Sequence, residues 1–136
     1  MIGTLLQMKL KNYTNKSNVG NKYLKIKFAL VFFWVVLLFY FSIKPITTGD
    51  AVAGFLIPGF DHIFAYFILS CSLFFLLLDF RKNYLFFIPI IISFFYGFGM
   101  EVIQGFLPWR DFSLVDSLFN LVGSSLIILI KLFLLK

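Results

Sequence analysis

Charge is scarce in this chain, and negative charge most of all: 13% of its 136 residues are Asp, Glu, Lys or Arg, and only six of those are acidic. A water-soluble globule usually carries about a quarter charged residues, so this composition excludes one. Cysteine is almost absent. Cys71 stands alone inside an apolar run, which rules out an intrachain disulfide, carries no redox information and reads as a small apolar side chain. The chain also lacks a Gly-rich phosphate loop, a cysteine–histidine zinc spacing and a Ser-His-Asp set, so no cofactor and no metal is assigned from motifs. The net charge of +6 does not make a nucleic-acid surface, because the basic residues are distributed by loop rather than gathered on one face.

What fills the chain instead is apolar sequence, 61% of all residues. It falls into four runs, roughly 28–43, 63–78, 84–107 and 114–135, separated by segments that collect nearly all the Gly, Pro and charge. At about 1.5 Å per residue, the last two runs are each long enough for a hydrocarbon core of about 30 Å. The first extends backwards through Tyr23, Leu24 and Ile26, because Lys22, Lys25 and Lys27 have stems long enough to reach the headgroups. The second takes in Asp61 and His62 as its outer turn. The expected fold is therefore all-α: a polytopic integral membrane protein with four transmembrane helices in a small bundle, at about 23–43, 61–78, 84–107 and 113–135. Residues 1–22, rich in Lys, Asn, Ser and Thr without an apolar period, read as a disordered or surface-lying tail.

Six lysines precede the first apolar run at 28–43, Arg81 and Lys82 lie between the second and third helices, and Lys131 and Lys136 close the chain, whereas only Lys44 and Arg110 fall in the alternate connections. By the positive-inside rule both termini are cytoplasmic, which agrees with an even number of crossings. No small-residue cleavage site follows the first run, so it is expected to be retained. The connection at 44–60 carries a short apolar patch, Ala51–Ile57, read as a loop on the outer interface or a lid over a site there. The first helix, with Trp34, Tyr40 and Ser42, is expected to serve packing or interface anchoring.

Polar residues in the other three helices are spaced as stripes. Asp61 is placed to cap the second helix, and His62, Tyr66 and Ser70 follow at steps of four on one face. Ser93, Gly97, Glu101 and Gln104 form a second stripe, in a helix where Pro89 predicts a kink. Ser113 and Asp116 are spaced as a capping box, and Asp116, Asn120, Gly123 and Ser124 make a third stripe in which Gly123 lets another helix approach closely. Counted inward at about 1.5 Å per residue, Glu101 and Gln104 lie about 9 and 5 Å below the outer end of their helix, and Asp116 and Asn120 about 5 and 10 Å below theirs. Five of the six acids, all but Asp79, fall on that outer side.

If the stripes face each other, Glu101 and Asp116 become neighbours in a medium of low dielectric. Their charge must then be met by a shared proton, by pairing with Arg110 or His62, by a bound cation or by water from the outer face. Arg110 is the expected partner, since its fork of donors can hold a carboxylate or an anionic headgroup. Glu101 and Asp116 are the candidate acid and base, and His62, Tyr66, Gln104 and Asn120 the candidate binding residues. The bland alternative is that Gln104 and Asn120 only cross-link helices, and that Arg110 and Asp111 are solvated loop charges.

The order Tyr96-Gly97, Glu101, Gln104, Pro108, Arg110, Ser113, Asp116, Asn120 and Gly123 resembles the pattern of VanZ-like membrane proteins over about residues 58–127. That family usually shows an aspartate-lysine pair before a histidine with a tyrosine four residues on; here His62 and Tyr66 keep the last spacing, but Asp61 abuts His62 with no lysine between. The resemblance implies a multi-pass protein of the bacterial cytoplasmic membrane, of the type named for low-level teicoplanin resistance, with Tyr96, Gly97, Ser113 and Gly123 in structural roles. It implies no established reaction. The expected partners are the lipid bilayer and a lipid-linked or other envelope component at the outer leaflet. No nucleic acid is expected, and the oligomeric state is not specified by the sequence.

Overall fold

In the computed structural model of the chain, residues 2–45, 59–78 and 87–134 are described, with side chains described for 23–45, 59–78 and 87–130. Among the described residues the structure is helix and turn, without a strand: α1 (Ile2–Ile43), α2 (Phe60–Leu77), α3 (Phe87–Gln104), α4 (Leu114–Ser125) and α5 (Ile127–Leu134). Three segments, Tyr23–Ile43, Phe60–Leu77 and Phe87–Gln104, are long and apolar enough to cross a bilayer, which makes this a helical membrane protein. The apolar patch at 51–57 lies outside the described residues.

α2 is the central element, packed on α1, α3 and α4, while α1 touches α2 and α3. The C-terminal ends of α1 and α3 therefore meet the N-terminal ends of α2 and α4 at one pole. Leu38, Tyr66, Leu69 and Leu73 form the main core, closed by Val31, Trp34, Val35, Ala65 and Tyr96. A smaller cluster of Phe74 and Ile127 lies farther from that pole, with Cys71, Ile90 and Ile130 against it. Large apolar side chains such as Phe32, Phe33, Phe95 and Leu118 remain exposed, as lipid-facing residues do.

Two glycines set the approach of α4 to α2. Gly59 precedes α2 with φ 78°, in the left-handed region where a side chain is strained, and a Cβ there would collide with the Phe119 ring of α4. At Gly123 a Cβ would collide with the backbone carbonyl of Ile63, so α4 crosses α2 in backbone contact. Ser70 Oγ–H then donates to the Ser124 carbonyl at 3.0 Å, tying the two helices a few turns from the pole.

Four local features differ from the sequence reading. The helix begins at Ile2, where an irregular or surface-lying tail is expected; once the apolar span forms a helix, each added residue gains a hydrogen bond without a new nucleation cost, and Leu5, Leu6, Met8 and the lysines are good helix formers. The residue capping α2 is Gly59, with no side-chain cap; Asp61 lies in the first turn, 75% exposed, where its charge still favours the helix N-terminus. Pro89 sits in the first turn of α3, where its missing N–H has no helical partner to lose, so no kink is required. The fourth helix is interrupted at Leu126, whose N–H is shared between the Val122 and Gly123 carbonyls, each at 3.2 Å.

Candidate functional site

At the shared pole the three polar stripes face one another. His62, Tyr66 and Ser70 turn toward α3 and α4, and Glu101, Gln104, Ser117, Asn120 and Ser124 are buried between the helices. Gly97 makes room for this: a Cβ on it would press on Asn120 Nδ2 and on the Tyr66 ring, each at 2.8 Å. Tyr66 in turn lies beside Tyr96, ring centroids 6.5 Å apart.

Among the described residues Glu101 is the most buried ionisable group, 1% exposed, and its Oε2 has no hydrogen-bond partner. Its Oε1 stands 3.8 Å from His62 Nδ1. The same ring nitrogen lies 2.9 Å from Asn120 Oδ1, to which an Nδ1–H donates, leaving the amide Nδ2 of this fully buried side chain unpartnered. Asp116 completes the cluster: one ligand atom each from His62, Glu101 and Asp116 lie within 4.8 Å of one another. His62 and Asp116 are half-buried, so the cluster opens at the pole while its floor, Glu101 and Asn120, is closed.

Asp116 is held by local chemistry. Ser113 caps α4, its Oγ accepting from the Asp116 N–H at 3.1 Å, which fixes Asp116 in the first turn at the positive end of the helix. The loop that ends α3 and starts α4 thus places both acids together.

Arg110 points to α1 rather than to the acid cluster. Its Nη2–H donates to the Phe41 carbonyl at 3.1 Å, and among the described residues no carboxylate pairs with it. Gln104 Nε2–H donates to the Ser42 carbonyl at 3.2 Å, and Trp109 Nε1–H to the Ile43 carbonyl at 3.0 Å. Together the three side chains close the C-terminus of α1, satisfying carbonyls that the helix itself leaves open and setting a cation at the negative end of its dipole. Tyr96 O–H extends the same attachment by donating to the Val35 carbonyl at 2.8 Å, and Trp34 Nε1–H donates to the Ala65 carbonyl at 2.9 Å. Gln104 is therefore a bridge to α1 rather than a member of the acid cluster, and Asp111 is an exposed loop charge.

Trp109 was not singled out by the sequence, and neither were the α1 carbonyls that it, Gln104 and Arg110 engage. A tryptophan directly before Arg110 in a short loop is the one available signal. Backbone acceptors leave no trace in side-chain spacing. No family model, curated protein or solved structure matches the chain.

Proposed function

We propose that the chain is a VanZ-like integral membrane protein of the bacterial cytoplasmic membrane, with both termini cytoplasmic and the His62, Glu101, Asp116 and Asn120 cluster facing outward. α4 and α5 together supply the fourth crossing. In this reading the cluster binds or acts on a lipid-linked envelope component at the outer leaflet, and through it affects teicoplanin susceptibility. The supports are the residue order from Tyr96 to Gly123, the bias of Lys and Arg toward the opposite side, and the placement of Asp61, Glu101, Asp111 and Asp116 at one pole. One observation carries the reading: a carboxylate 1% exposed, with an unpartnered oxygen, faces an imidazole and a second carboxylate. Such a group costs stability where it stands, so function is the reason to keep it. Glu101 and Asp116 are the acid and base candidates, and Arg110, with donors left over after Phe41, is placed to meet an anionic group at the mouth.

The test compares Glu101→Gln and Asp116→Asn with the wild type at equal membrane abundance, by mass spectrometry of copurified lipids and by teicoplanin susceptibility. The reading expects the wild type to be enriched in a lipid-linked precursor and both variants to lose the enrichment and the susceptibility phenotype. Wild-type behaviour in both variants would overturn it.

A second reading, in which the polar residues only bridge helices, is favoured for Gln104, Trp109 and Arg110 by their bonds to α1 carbonyls. It expects substitutions at those three positions to lower stability before they change any activity. A fully stable Glu101→Gln protein without function sets the limit of that reading at the acid cluster.

A further inference from the structure

We infer that His62, Glu101 and Asp116 form a binding site for one divalent transition-metal cation of the zinc or manganese type, with Asn120 as an adjoining oxygen donor. The inference needs neither the orientation in the membrane nor the substrate proposed above; it rests on what the four side chains present to one another.

The donors are the right kind and close enough. One ligand atom from each of the three residues lies within 4.8 Å of the other two, and His62 Nδ1 faces both Glu101 Oε1 at 3.8 Å and Asn120 Oδ1 at 2.9 Å. Ligands around a zinc ion sit at about 2.0–2.2 Å from it, so small side-chain rotations bring these atoms onto one ion. An imidazole nitrogen with two carboxylates suits zinc, manganese or ferrous iron; calcium and magnesium prefer oxygen alone.

The charge and the unmet hydrogen bonds point the same way. Two carboxylates carry a charge of −2, which a divalent ion cancels in full, whereas the imidazole cancels at most half. Glu101 is 1% exposed and its Oε2 has no protein partner, an arrangement that leaves a buried lone pair for a ligand to satisfy. To ligate through Nδ1, His62 takes the neutral tautomer with its proton on Nε2, which lies 4.0 Å from Asp61 Oδ2, and the Asn120 amide oxygen becomes free to face the ion. His62 and Asp116 are half-buried at the open side, which gives the ion an entry path and leaves coordination positions for water or for an oxygen of a bound molecule.

The experiment uses the full chain without a polyhistidine tag, purified in detergent, stripped with chelator and dialysed against ZnCl2 or MnCl2. Metal content is read by mass spectrometry and affinity by calorimetry. The inference expects about one ion per chain, with Asn120→Ala weakening binding about 10- to 100-fold and Glu101→Gln or Asp116→Asn weakening it further. Asp111→Asn, at an exposed loop position outside the set, leaves binding unchanged. No stoichiometric zinc or manganese on the wild type, or equal binding by Glu101→Gln and Asp116→Asn, overturns the site. Should those variants fail to fold, X-ray absorption of the metal-loaded wild type decides: a shell of one imidazole and several oxygens supports the site, and a sulfur ligand or a shell without imidazole contradicts it.

Discussion

Two polar groupings share one pole of this bundle, and they are built in opposite ways. In the attachment of α1, every side chain ends on a backbone carbonyl: Gln104 on Ser42, Trp109 on Ile43, Arg110 on Phe41 and Tyr96 on Val35. In the cluster a turn away, a carboxylate oxygen and an amide nitrogen, Glu101 Oε2 and Asn120 Nδ2, are buried without partners; in the attachment one atom, Arg110 Nε, is left so, on a side chain whose Nη2 is bonded. The first grouping has an evident structural purpose, because helix ends in an apolar medium need their carbonyls closed. The second has none, since a bundle held only by packing would be better served by apolar side chains of the same volume. A polar residue in a membrane helix is thus explained by where its bonds end rather than by its mere presence.

Substitutions can sharpen or break this contrast. The largest effect is expected at Gly123, whose Cβ would collide with the Ile63 carbonyl. Gly123→Ala forces α4 from α2 and should cost about 1–3 kcal/mol of unfolding free energy in detergent, while also abolishing whatever the acid cluster binds. The attachment of α1, which does not pass through α4, should survive, and proximity cross-linking between α1 and the loop at 109–110 would report it. Next comes Arg110→Ala, which removes a cation from the C-terminus of α1. A loss of about 1 kcal/mol is expected, with metal binding at the cluster retained in proportion to folded protein and capture of an anionic lipid reduced; denaturant titration beside metal calorimetry separates stability from binding. Smaller still is Trp109→Phe, which keeps the ring and deletes one exposed hydrogen bond to Ile43; about 0.5 kcal/mol is expected, by the shift of the unfolding midpoint. If Trp109→Phe or Arg110→Ala abolished metal binding at the cluster without loss of stability, the division between the two groupings would fail.

The sequence made the cluster legible because its stripes repeat at helical steps. His62, Tyr66 and Ser70, Gly97 and Glu101, and Asp116 and Asn120 each fall on one face, and counting residues from the helix ends puts them at a common depth. The Ser113 cap was legible too, because a serine three residues before an acid at the start of an apolar run has few other uses. The partners of Arg110 and Gln104 were not, because both bond to main-chain oxygens of a helix more than 60 residues away in sequence. Gly59, not Asp61, caps α2 because backbone conformation and the nearby Phe119 ring decided the position rather than side-chain chemistry. The break at Leu126 has no Gly or Pro to announce it, and we find no local reason for it in the side chains around it. The ligands of the proposed metal site come singly from three helices, so no short spacing marks them, and the sequence offered a bound cation there only as one way to meet the charge of Glu101 and Asp116.

The central claim, that the Glu101 carboxylate is kept for function and not for the fold, is tested most directly by the unfolding midpoint of Glu101→Gln against the wild type in metal-free detergent. Replacing a buried charge that has an unpartnered oxygen with a neutral amide should leave stability unchanged or raise it by about 1 kcal/mol. A fall of about 3 kcal/mol or more, the size expected when a needed buried pair is broken, would contradict the claim and make Glu101 a structural residue like Gln104.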